Sequence, residues 1–85
     1  MKWMNELTFD FDLTGPKITA SSNVAIIENV MKILLISDTS VVVDTGRFFV
    51  SLRGKKFVIS EMWEGRMEIE GTIECIEFYQ TLDKR

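Results

Sequence analysis

Met67-Glu68-Ile69-Glu70-Gly71-Thr72-Ile73-Glu74-Cys75-Ile76-Glu77-Phe78 alternates oily and acidic residues, and its reading decides the fold. Met67 and Ile69 fall on one side of an extended chain, Glu68 and Glu70 on the other, the period of two that marks a half-exposed β-strand. Ile73 keeps the odd phase, but Ile76 and Phe78 are in the even phase. One face cannot hold both sets without an extra residue. The pattern therefore predicts a β-bulge or sharp bend between Gly71 and Ile76.

Working outward, the same signal recurs. Glu64 and Gly65 mark a turn. Before it, Lys56 to Ser60 places Phe57 and Ile59 on one face and Val58 on the other. Arg53, Gly54 and Lys55 read as another turn, Arg47 to Leu52 as a strand. Asp44, Thr45 and Gly46 make a tight turn with glycine available for φ > 0, preceded by the β-branched run Val41 to Val43. Near the start, Leu7, Phe9, Phe11 and Leu13 alternate with Thr8, Asp10 and Asp12, until Thr14, Gly15 and Pro16 break the strand. Ile18 to Ala20 restarts an extended segment, and Ser21, Ser22 and Asn23 read as a turn.

Val24 to Ile36 supports two readings. Ile27, Val30, Met31, Leu34 and Leu35 fall on a helical stripe that Asn23 could cap. The many β-branched residues favour instead two strands, Val24–Glu28 and Met31–Ile36. Glu28, Asn29 and Lys32 interrupt the stretch, which is too polar for an unassisted membrane span.

A chain of 85 residues is expected to form one domain over 1–85, with a polar, frayed tail at 81–85. A domain this small buries roughly 60% of its unfolded surface, and its stability should be near ~5 kcal/mol. Phe48 and Phe49 are adjacent, so a strand points them to opposite faces. Val41 to Val43 also load both faces, and Val24 to Ile36 is more apolar than one half-buried hairpin needs. A short chain with two oily faces is expected to be covered by a second copy, as a homodimer. Ile36, Phe49 and the turn-borne Trp63 are the candidate interface residues.

The chain offers little chemistry. It has no histidine and one cysteine, Cys75. That removes the usual neutral general base, a Cys–His nucleophile and a four-ligand zinc site. The single cysteine suits a reducing compartment. Met1 to Leu7 lacks the apolar run of a signal peptide. Asp10/Asp12 and Glu68/Glu70 could pair as carboxylates, but each pair is also the wet half of an alternating strand. The net charge of −3 argues against nucleic acid; Arg53, Lys55 and Lys56 could form a local basic patch or a solvated hairpin tip. No catalytic, cofactor or metal residues and no small-molecule substrate are expected.

Asp12-Leu13-Thr14-Gly15-Pro16-Lys17-Ile18-Thr19, Val24-Ala25-Ile26-Ile27-Glu28-Asn29, Gly54-Lys55-Lys56-Phe57-Val58-Ile59 and Glu70-Gly71-Thr72-Ile73-Glu74, in this order, resemble the YqfC branch of the YqfC/YabP family of sporulation proteins. The resemblance covers roughly 12–78. It implies a mainly β fold, and so two strands within Val24–Ile36. It also implies a role in sporulation, including spore coat assembly, in the mother-cell cytoplasm at the forespore surface, with a membrane-bound sporulation protein as partner. The expected fold is all-β, a small antiparallel sheet or sandwich of consecutive hairpins. The expected function is that of a non-enzymatic structural or interaction component. The alternatives are a small ligand- or regulator-binding module outside sporulation and, more remotely, a hydrolase using paired carboxylates.

Overall fold

The computed structural model describes the backbone of residues 7–10 and the whole of residues 17–80. They form seven strands and no helix: β1 (Leu7–Asp10), β2 (Lys17–Ala20), β3 (Val24–Glu28), β4 (Lys32–Ile36), β5 (Ser40–Asp44), β6 (Phe48–Trp63) and β7 (Arg66–Gln80). All neighbours are antiparallel, in the order β1-β2-β3-β7-β6-β5-β4. The fold is all-β, as the alternation predicts. Residues 11–16 and 81–85, which hold Asp12, the expected Thr14–Pro16 break and the expected tail, lie outside the described residues.

The chain's own connectivity forces the sheet to curl. β3 and β4 are separated by Asn29, Val30 and Met31 alone, yet four strand spacings lie between them in the sheet order. In a flat sheet those spacings would span roughly 19 Å. The link from Glu28 to Lys32 reaches about 14 Å at most. Bending β6 and β7 removes the conflict. The first part of β6, Phe49–Arg53, pairs with β5, while the first part of β7, Arg66–Glu70, pairs with β3. Each long strand thus belongs to two half-sheets that fold over one core. Ile18, Ile27, Met67 and Ile69 face it from one half, Val41, Val43, Val50 and Leu52 from the other, all fully buried.

The bend lies where the phase change predicts it. Arg53 pairs with Cys75 but Gly54 with Ile73, so Glu74 is the extra residue on β7. A second shift, between Lys55/Thr72 and Val58/Glu70, puts an extra residue on β6, where Lys56 has φ 56°. Two turns bolt the corner. The Gly54 and Phe57 amides donate to the Thr39 and Asp38 carbonyls of the β4–β5 turn. The Gly71 and Ile73 amides donate to the Asn23 and Ser22 carbonyls of the β2–β3 turn.

Two expectations need correction. Arg53–Lys55 is not a turn: β6 runs through it from Phe48 to Trp63. Gly54 serves the corner by having no side chain, since a Cβ there would collide with the Thr72 carbonyl. The hairpins are also not all consecutive. Val24–Ile36 does contain two strands, but β3 pairs with β2 and β7 whereas β4 pairs with β5. Asn29, at φ 66°, turns the chain from one half-sheet to the other; asparagine visits this region more readily than most residues.

Candidate interaction surface

A curled sheet whose rim does not close leaves free edges. β4 is a terminal strand of the order, paired only with β5. The end of β6, Val58–Trp63, pairs with β7 on one side and has no strand on its other side among the described residues. The two edges flank one seam. A groove of about 200 Å³ lies between them, lined by Val30, Lys32 and Ile33 on one bank and by Met62, Arg66 and the core residue Met67 on the other.

The side chains along this seam reverse the usual burial rule. All five residues of β4 are exposed, including Ile33, Leu34, Leu35 and Ile36, and Met31 just before it is 72% exposed. On the β6 side Val58, Met62 and Trp63 are exposed. Among the described residues the other large exposed hydrophobic side chain is Tyr79, on β7. The Arg66 guanidinium sits 5.3 Å from the Trp63 ring centroid and 3.4 Å from Glu28, placing a held cation over one face of the exposed indole.

The structure separates the three sequence-derived interface candidates. Ile36 and Trp63 lie on the two strands that flank the seam, 46% and 48% exposed. Phe49 does not join them. It is half-buried, opposite Asp44 and Tyr79. Val42 and Phe48 are likewise half-buried, so the doubly loaded strands are more fully covered than β4. The sequence marked Val24–Ile36 as unusually apolar; that excess is the signal of the exposed strand.

Polar groups elsewhere are engaged with one another. Arg53 lies 3.4 Å from Glu77 and donates to the Cys75 sulfur at 3.6 Å, and Lys55 lies 3.6 Å from Glu74. The Tyr79 hydroxyl donates to Glu77 at 2.7 Å. That hydrogen bond, helped by desolvation and by the Glu77 charge, holds the tyrosine pKa above its usual value. Arg53 and Lys55 are thus matched by acids of β7 and form no free basic patch. Glu68 and Glu70 border an open, water-accessible hollow with Asn23, Lys56 and Thr72. Among the described residues no three His, Cys, Asp or Glu side chains converge as cation ligands. Asp10 lies in β1 and has no described side chain.

What the fold and this surface define is a small, curled, all-β protein with apolar strand edges. The YabP family model matches residues 18–85, and the chain belongs to that family. The match is to the family as a whole and does not separate its YqfC branch. Membership points to a sporulation-associated protein. No curated protein and no solved structure gives a significant match.

Proposed function

We propose that this chain is a non-enzymatic interaction component of sporulation, working in spore coat or forespore-surface assembly. The observation that supports it is the apolar seam between β4 and the end of β6. Side chains of that kind gain roughly 1.5–3 kcal/mol each on full burial, and a chain that leaves them in water forgoes this unless a partner covers them. Family membership supplies the cellular setting. In this reading the protein acts in the mother-cell cytoplasm at the forespore surface, self-associates as a homodimer, and docks to a membrane-bound sporulation protein.

Deletion of the gene and a fluorescent fusion in sporulating cells test the proposal. The expected results are defective spores and a fluorescent shell around the forespore. Normal, resistant spores together with a fusion dispersed through the cell would overturn it.

A further inference from the structure

We infer that a second copy of this chain covers the seam, so that a twofold dimer closes over β4 and the end of β6. The inference rests on the proposal of self-association and says which surface makes it.

Area is the first argument. The apolar side chains of the seam expose on the order of 800 Å² in total, the share one partner contributes to a standard-size interface.

The edges themselves argue against an added peptide strand. β4 carries a register shift between Ile33 and Leu35, and β6 carries one between Ile59 and Glu61. Each bulge interrupts the row of N–H and C=O groups that strand addition needs. The cover is therefore made by side chains, over a surface instead of along a ladder.

Charge then selects a second copy. Lys32 opens β4, while Glu61 lies near the end of β6 and Glu64 in the turn that follows it. None of the three makes an ion pair among the described residues. One bank thus holds an unpaired cation and the other unpaired acids, the Arg66 of that second bank being engaged by Glu28. An isologous interface puts every contact in place twice, with residue i of one copy against residue j of its partner and the reverse. Laying β4 over the partner's β6 end brings Lys32 against the partner's Glu61 and Glu64 at both ends of the contact.

Sedimentation equilibrium at micromolar concentration tests this with the full chain, circular dichroism confirming the β-fold of each variant. The wild type should be a dimer. Leu35→Glu and Lys32→Glu, both on an exposed strand, should each weaken association at least tenfold. Lys32→Glu combined with Glu61→Lys and Glu64→Lys should restore it. A monomeric wild type would overturn the inference and self-association together. A dimer indifferent to Leu35→Glu and Lys32→Glu but broken by Phe49→Glu would overturn the seam alone and leave self-association standing. Open-ended oligomers would overturn the closed twofold arrangement.

Discussion

Gly71 faces the backbone of Lys56 so closely that a Cβ on the glycine would lie 2.7 Å from the Lys56 carbonyl oxygen. The two residues sit on opposite strands of the corner, both at positive φ, 144° for Gly71 and 56° for Lys56. A side chain at Gly71 therefore meets two penalties, a backbone conformation that L-residues avoid and a space already filled.

From this follows the first prediction. Gly71→Ala should destabilise by roughly 1–3 kcal/mol, and Gly71→Val by at least as much. On a domain of ~5 kcal/mol that is a large fraction of the total. Urea denaturation at fixed protein concentration measures it. A loss below about 0.5 kcal/mol would mean that the corner relaxes freely.

A second prediction concerns the β6–β7 turn. Trp63 pairs with Arg66, leaving a two-residue loop in which Glu64 and Gly65 have φ 42° and 79°. Positive φ at both positions is the requirement of a type I′ hairpin, for which Asn-Gly is preferred. Glu64→Asn should stabilise by roughly 0.5–1 kcal/mol and raise Tm by about 2–8 °C. Glu64 also lies in the proposed dimer contact and association shifts Tm, so wild type and variant are compared in the Leu35→Glu background at a concentration where sedimentation shows a monomer. An unchanged or lower Tm would count against the turn assignment.

Much of this architecture is written locally. The alternation of Met67 to Glu70 sets the strand and its buried face, and the change of phase between Ile73 and Ile76 gives the bulge at Glu74. What misled at Arg53–Lys55 is physical: a sharp strand bend and a tight turn both need glycine. Only the opposite strand tells the two apart, where the Thr72 carbonyl fills the place of a Gly54 side chain. Pairing partners were illegible for the same reason. Nothing local says that β4 joins β5 and not β3, because that choice depends on how β6 and β7 bend. The seam was half legible. The sequence offers Ile36 and Trp63 as interface candidates and Val24–Ile36 as an apolar excess, but which part of that stretch stays exposed follows only from the place of β4 at the rim.

The third prediction is a titration. Tyr79 is the protein's single tyrosine, so tyrosinate absorbance reports it directly. Its hydroxyl donates to Glu77, which favours the protonated form, and its pKa should lie above the usual 10.0. The sign for stability follows: a pKa raised in the folded state gives a contribution that is complete below the unfolded value and is lost as pH rises through the folded one. Glu77→Gln should lower the midpoint by removing the adjacent charge. A wild-type midpoint at or below 10.0 would show that the hydrogen bond does not persist in solution.

The last prediction joins Phe57 to the two glycines of the corner. Its side chain is 7% exposed, and its ring atoms lie 3.0 Å from where a Gly54 Cβ would stand and 2.9 Å from the corresponding point above Gly71. The absent side chains of Gly54 and Gly71 are therefore the space the ring occupies. Its amide is tied to the Asp38 carbonyl, so backbone and ring are held from different sides. Phe57→Ala empties that space and should cost about 3–5 kcal/mol, close to the whole stability of a domain this size. The milder Phe57→Leu should leave a folded protein. A double-mutant cycle needs a side chain without the Cδ1 that makes the contact, such as Phe57→Val: Gly71→Ala should cost less beside Phe57→Val than in the wild type, because one of the three close approaches to the new Cβ is gone. The remaining penalty comes from the Lys55 and Lys56 carbonyls and from the positive φ, so rescue is partial, with a coupling of about 0.5–1 kcal/mol. Strict additivity in urea denaturation would show that the ring and Gly71 do not share the corner.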